Sequence, residues 1–255
     1  MISGIFDSHA HYDSKAFDED RYELLSSMKE KGVSNIVNCA SDIASSLVCL
    51  ELADDFDYIY AACGIHPHET AECTKDFIPM LKKLCMSEKC VAVGEIGLDY
   101  HYDFSPRDVQ IEAFEKQVLL AKELDMPVIV HDREAHEDVM TILKKHRPKG
   151  VVHCFSGSVE LARETVKLGM YIGLGGAVTF KNARKPVEVA AYVPEDRLLV
   201  ETDCPYMTPV PNRGKRNDSS YIPDVLEVIA NVRGTDAQRL AEITADNARR
   251  LFSIK

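Results

Sequence analysis

Four histidines and two carboxylates recur beside short apolar runs of this 255-residue chain. His9 and His11 close Phe6-Asp7-Ser8-His9-Ala10-His11, and Glu95 follows Cys90–Gly94. His131 follows Pro127–Val130, His153 follows Val151–Val152, and Asp203 stands just beyond Leu198–Glu201. Imidazole nitrogen and carboxylate oxygen are both ligands for divalent cations. Singly, each has a plainer reading: a hydrogen-bonded structural histidine, or an acid capping the next helix. Six at one place are different, because unpaired ionisable groups cost desolvation and a metal gives them a common partner. A donor set without thiolate suits zinc, manganese or magnesium. Six donors exceed what one open catalytic ion uses, and they suit two ions sharing a carboxylate. Glu95, central in the chain, is the bridging candidate. Sites of that kind activate water and clamp a substrate oxygen between the ions.

Something must bring the six together. Eight short β-rich runs are readable: Gly4–Ser8, Asn35–Ala40, Tyr58–Ala62, Cys90–Gly94, Pro127–Val130, Val151–Val152, Tyr171–Leu174 and Leu198–Glu201. Helical periodicity fills the gaps over Glu19–Lys31, Ile43–Asp54, Asp76–Met86, Pro106–Leu124, Glu134–His146, Val159–Leu168 and Ala183–Tyr192. Tyr221–Asn231 would be the eighth helix and Asp236–Arg250 an extra one. Ser105-Pro106 reads as a serine cap before a first-turn proline, and Gly32 and Gly169 as helix stops. Strand–helix repetition implies parallel neighbours, and eight units close into a single (β/α)8 barrel of the TIM type spanning 1–255. An open doubly wound sheet is the alternative. In a barrel, all six candidates reach the rim formed by the C-terminal ends of the strands. His9 and His11, two residues apart, leave the first strand on one face.

Composition narrows the partners. Hydrophobic residues are 45% of the chain, enough for a sizeable core. A formal net charge of -11 disfavours a broad basic surface for duplex DNA, yet leaves a local, metal-centred phosphate site open. The eight cysteines contain no C-x-x-C pair, no leader is evident at the start, and no run of apolar residues is long enough to span a membrane. A cytoplasmic protein with reduced thiols and no membrane association is expected.

Further strings carry a family resemblance: Asp7-Ser8-His9-Ala10-His11-Tyr12-Asp13, Gly64-Ile65-His66-Pro67-His68, Gly94-Glu95-Ile96-Gly97-Leu98-Asp99-Tyr100 and His131-Asp132-Arg133. His153-Cys154-Phe155-Ser156-Gly157, Glu201-Thr202-Asp203-Cys204-Pro205-Tyr206, Asn212-Arg213-Gly214-Lys215-Arg216-Asn217 and Asn247-Ala248-Arg249-Arg250-Leu251-Phe252 complete the set. In collinear order across essentially the whole chain, these resemble the TatD-type metal-dependent deoxyribonucleases, related to the amidohydrolase-like hydrolases. The resemblance implies a metal-dependent hydrolase barrel with DNA exonuclease activity. It implies that His9, His11, Glu95 and Asp203 hold one metal and that Glu95, His131 and His153 hold the other. Two residues depart from the family pattern. Tyr12 replaces a leucine, a packing change, and Cys204 replaces a small residue, where a buried inert thiol is expected.

Catalytic roles fall to Asp203, as ligand and acceptor of the nucleophile's proton, and to Glu95. Substrate-binding candidates are His66, Arg133 and the basic loop residues Arg213, Lys215 and Arg216. His68 reads as structural. Tyr206 and Tyr221 are candidates for stacking on bases. Gly175-Gly176 would let backbone approach substrate closely or simply make a turn. The expected reaction is phosphodiester hydrolysis, with a nucleic acid as partner and single-stranded DNA ends preferred. The rival is a small-molecule metallohydrolase acting on an amide, ester or lactone, since such barrels share these ligands. A non-enzymatic metal-binding barrel is disfavoured because no ligand is missing.

Overall fold

The chain alternates strand and helix from end to end. A computed structural model describes residues 1–73 and 76–254. The strands are β1 (Ile5–Ala10), β2 (Val33–Cys39), β3 (Ile59–Cys63), β4 (Cys90–Asp99), β5 (Val128–Arg133), β6 (Gly150–Val152), β7 (Tyr171–Leu174) and β8 (Leu198–Val200). They pair in sequential order, each parallel to the next. The helices are α1 (Arg21–Ser26), α2 (Ile43–Asp55), α3 (Phe77–Cys85), α4 (Arg107–Glu123), α5 (His136–His146), α6 (Val159–Lys167), α7 (Arg184–Tyr192), α8 (Ile222–Arg233) and α9 (Ala237–Phe252). This is the (β/α)8 barrel expected from the strand–helix alternation. Closure between β8 and β1 is completed past the strand ends. Ala10 bridges Cys204, Asp203 N donates to His9 O at 2.9 Å, and Ser8 Oγ donates to Val200 O at 3.0 Å.

Two apolar layers result. The larger packs the outward faces of the strands against the helices, with Ile5, Ile36, Ile59, Val93 and Val130 facing Leu25, Leu52, Leu81, Phe114 and Val139. The smaller fills the barrel with Phe6, Val37, Ala62, Ala92, Ile129, Val151 and Leu199. Ala245, Ala248 and Phe252 of α9 join this interior layer, and the Phe6 and Phe252 rings lie 6.1 Å apart. Helix α9 therefore plugs the N-terminal end, and the polar residues collect at the other.

Three local readings need correction. β4 does not stop at Gly94 but runs through Glu95 to Asp99, so Glu95 sits within a strand. Gly97 allows it: its φ is +146°, and a Cβ there would lie 2.0 Å from His131 O, so only glycine lets β4 approach β5. The first helix is short, covering only Arg21–Ser26, because past it the backbone closes tighter three-residue turns, Ser27 N to Leu24 O and Met28 N to Leu25 O, and runs on as turns to Gly32. At α4 the cap position belongs to Pro106 itself. Ser105 Oγ instead donates to His68 O and accepts from Ala71 N.

Candidate metal centre

The strand ends deliver the six predicted residues to one point. Glu95 is the hub, and its two oxygens face different partners. Oε2 lies 3.3 Å from His9 Nε2 and 3.4 Å from His11 Nε2. Asp203 Oδ1 joins that side, 3.4 Å from His11 Nε2 and 3.7 Å from His9 Nε2. Oε1 lies 2.7 Å from His153 Nε2, 2.8 Å from His131 Nδ1 and 3.5 Å from His66 Nε2. Three overlapping groups result: His9, Glu95 and His153; His9, His11 and Asp203; and His66, Glu95 and His131. His66, expected from the sequence to meet substrate, thus stands against the same carboxylate as the metal candidates.

Donor chemistry fits divalent cations. His9 Nε2 and His11 Nε2 approach to 2.9 Å while His11 Nδ1 contacts Cys39 O at 2.8 Å. A carbonyl can only accept, so Nδ1 of His11 carries a hydrogen. In the neutral ring Nε2 then presents its lone pair to the centre. His9, His11, Asp203 and Glu95 bring their donor atoms within 2.9 to 3.7 Å of the His9 or His11 Nε2, close enough to share one cation. The His9 and His153 rings stack with centroids 3.9 Å apart.

Behind these rings lie two acids that the ligand pattern did not single out. Asp99, at the end of β4, places Oδ2 3.1 Å from His131 Nε2 and 2.8 Å from His68 Nε2. Glu201 is fully buried beyond β8, accepts from Cys154 N, and stands 3.8 Å from His153 Nδ1. That Nδ1 and Glu201 Oε2 are both buried without a hydrogen-bond partner. Gly173 makes room for the carboxylate, since a Cβ there would lie 2.4 Å from Glu201 Oε2. A carboxylate hydrogen-bonded behind a histidine ligand fixes ring orientation and raises basicity, the position Asp99 holds behind His131; Glu201 stands beyond hydrogen-bond reach of His153. The clue was in the sequence: Asp99 and Glu201 share short segments with Glu95 and Asp203. Two buried glutamines brace the same region. Gln117 holds both Ile65 N and Ile65 O, just before His66, and Gln110 does the same for Asp99.

The electrostatics follow from burial and crowding. Burial opposes ionisation of Glu95, but the imidazoles of His153, His66 and His9 outweigh it and hold the carboxyl well below its usual range. Asp203 is lowered likewise, burial being overcome by the hydrogen bond to His11. Burial, with His153 adding repulsion, pushes His9 down to about 3, and burial takes His66 down to about 4. His131 goes the other way, to about 9, because hydrogen bonds to Asp99 and Glu95 exceed the cost of burial. Burial raises Glu201 to about 8. Asp203 also holds a left-handed backbone (φ 56°), a conformation that Asp tolerates better than most residues.

The remaining candidates are distributed unevenly. Arg133, at the end of β5, stands over the Tyr102 ring with its guanidinium carbon 4.7 Å from the centroid. Arg213 lies over Phe180 at 4.0 Å and donates to Thr208 O. Lys215 is exposed, its Nζ 3.1 Å from Asn212 Oδ1. Arg216 is committed to Asp20 by two hydrogen bonds and covers Phe17. Tyr206 is exposed, whereas Tyr221 is partly buried ahead of α8. Gly176 is packed, since a Cβ would lie 1.7 Å from Met207 O, so its smallness serves backbone against backbone. Cys204 is fully buried, and burial pushes its thiol well above the ordinary range. His68 sits partly exposed against Asp99.

A β/α barrel with this donor cluster at its C-terminal rim defines a metal-dependent hydrolase. The profile of the TatD related DNase family matches residues 6–253. The chain belongs to that family. It is 46% identical over 253 residues to the uncharacterized metal-dependent hydrolase YabD of Bacillus subtilis, with 98% of this chain and 99% of the relative covered. It is 36% identical over 259 residues to the 3'-5' ssDNA/RNA exonuclease TatD of Erwinia tasmaniensis, covering 98% of this chain and all of the relative. The crystal structure of YJJV, a TatD homolog from Escherichia coli, superposes with a TM-score of 0.94 at 34% identity, with both chains covered in full. Among the described residues, no helix is long and apolar enough to cross a membrane.

Proposed function

We propose that this chain is a phosphodiesterase that shortens single-stranded nucleic acid from an end, using two divalent cations held around Glu95. The observation that carries this reading is the division of the Glu95 carboxylate, with Oε2 toward His9 and His11, which Asp203 also faces, and Oε1 toward His131 and His153. The first set with Oε2 would hold one ion and the second set with Oε1 the other; magnesium, manganese or zinc fits the donors. Bound there, such ions supply Lewis acidity, making water acidic enough to attack near neutral pH and polarising a phosphoryl oxygen. Asp203, kept ionised by its surroundings, accepts the proton of the attacking water. Arg133 meets a phosphate from the rim, and His66 contacts the phosphate beside Glu95. Of the basic loop, Arg213 and Lys215 remain for more distant phosphates. The exonuclease named among the relatives supports a nucleic-acid substrate. We place the protein in the cytoplasm, acting as a single domain over 1–255.

One observation favours the rival small-molecule reading. The Arg216–Asp20 pair takes a cation out of the loop that would track a nucleic-acid backbone. One experiment separates the two. Chelator-stripped protein is given 5'- and 3'-labelled single-stranded DNA with magnesium, manganese or zinc restored, and Glu95→Ala controls for contaminating nucleases. Metal-restored, Glu95-dependent shortening supports the nuclease and reveals its polarity. Intact strands under every metal, with both ions bound, would move the substrate to a small ester, amide or lactone.

A further inference from the structure

The segment following β4 carries two large rings that the metal chemistry does not use. Phe104 is 67% exposed and Tyr102 47%, although burying such rings ordinarily stabilises a fold. They are not loosely displayed. Their planes stack within 21° at a centroid distance of 5.2 Å, and the His68 ring meets both edge-on at 4.8 and 5.5 Å. Arg133 lies over the Tyr102 ring. Asp103 is clamped to Arg107 at 2.7 Å, which steadies the turn between the two rings.

The same group that steadies His131 also fixes this segment. Asp99 Oδ1 accepts from His101 N at 3.0 Å and Tyr102 N at 2.9 Å, while Oδ2 faces His131 and His68. One carboxylate therefore ties an exposed aromatic pair rigidly to a ring of the metal centre. A preordered aromatic pair with a guanidinium laid over its Tyr102 ring and an exposed Phe104 ring, at the mouth of the proposed phosphodiester-cleaving site, has the chemistry of a nucleotide seat. The rings take a base face, and the arginine takes the adjoining phosphate.

We propose that Tyr102, Phe104 and Arg133 form a stacking platform for a base near the scissile phosphate of a single-stranded nucleic acid. The proposal rests on the nuclease reading given above. Every base offers a π face, so the platform grips the strand without selecting sequence. Inside a duplex each base is stacked on both neighbours and held by its partner strand, whereas a base at an unpaired end is free to swing onto this seat, so the seat prefers unpaired ends.

The test uses metal-restored protein and a labelled DNA strand of about 10 nucleotides, within the span of common single-strand sites. KM and kcat are measured for the wild type, the double variant Tyr102→Ala/Phe104→Ala, and Phe104→Trp. A second set of strands carries one abasic residue at each position near the cleaved end. The double variant should raise KM by about 5- to 150-fold, with the loss falling on KM rather than kcat. Phe104→Trp, which retains a π face, should raise KM far less than the double variant. An abasic residue at the seated position should penalise the wild type but add nothing in the double variant. If the double variant keeps its KM within about twofold, or if the abasic penalty is the same in both proteins, the platform is wrong while the nuclease stands. If the wild type neither cuts nor binds the strand under any metal, the nuclease reading falls and takes the platform with it.

Discussion

Asp99 Oδ2 lies 3.1 Å from His131 Nε2, so a buried carboxylate grips the far edge of a ring whose Nδ1 faces Glu95 at 2.8 Å. Remove that grip and His131 loses both orientation and basicity. Asp99→Asn should lower metal affinity by about 10- to 100-fold while leaving the circular dichroism spectrum unchanged. Calorimetric titration with manganese or zinc measures it. An unchanged affinity would reduce Asp99 to a loop brace.

Asp203 and Glu95 should fail differently. Asp203→Asn keeps the shape of the side chain but removes the proton acceptor, so kcat should fall by about 100- to 10,000-fold with KM little changed. Glu95→Ala removes the oxygens from both donor sets and should abolish binding of both ions. Elemental analysis after dialysis decides the second point: two retained ions would end the bridging assignment.

Metal should also stabilise the fold, a readout independent of turnover. At a thousandfold excess over the dissociation constant, binding contributes about 4 kcal/mol. For a chain of this size that corresponds to roughly 8–16 °C in Tm. Chelator should reverse the shift, and Glu95→Ala should show none. A wild-type melting curve indifferent to metal would contradict the site.

Gly173 is constrained by what stands behind His153. A Cβ would lie 2.4 Å from Glu201 Oε2 in a fully buried setting. Gly173→Ala should cost about 1–3 kcal/mol in a denaturant melt. It should also weaken metal binding, because Glu201 must shift away from Cys154 and His153. If stability drops and metal affinity does not, Glu201 acts on the fold alone.

Away from the centre, His136 offers a pH probe. Its Nδ1 lies 2.8 Å from Asp132 Oδ2, and that hydrogen bond raises its pKa despite partial burial. A raised folded pKa means the stabilisation is complete below the unfolded value, about 6.5, and is lost as pH rises through the folded value. The stability gap between wild type and His136→Ala should be larger near pH 6 than near pH 9. A gap independent of pH would show that the pair contributes no charge-linked stability.

What the sequence disclosed, and what it hid, has a physical pattern. The barrel was readable because β-rich runs and amphipathic segments alternate at spacings that only parallel crossovers satisfy. The six candidate ligands stand beside apolar runs, so one topology carries them all to one rim, where they group together. Boundaries failed where tertiary contact overrode local preference. β4 continues through Glu95 because Gly97 permits a close approach to His131 that no neighbouring residue announces. Asp99 and Glu201 stood in the same short segments as Glu95 and Asp203 but were not singled out, because an acid behind a ligand has no spacing rule of its own. Arg216 looked free for substrate only because Asp20, its partner, is nearly 200 positions earlier in the chain.

One consequence follows from the way the barrel closes. Asp203 N bonds His9 O, and Asp7 reaches across to Thr202 and Ser219, so the first strand and the segment after the last form one polar seam. His9 and Asp203 enter the world at opposite ends of translation. A chain ending after β7 lacks Asp203, the proposed proton acceptor, and one trimmed past β1 lacks His9 and His11. Under the proposed mechanism, loss of either side of that seam removes candidate ligands, so neither truncated form should hydrolyse a phosphodiester.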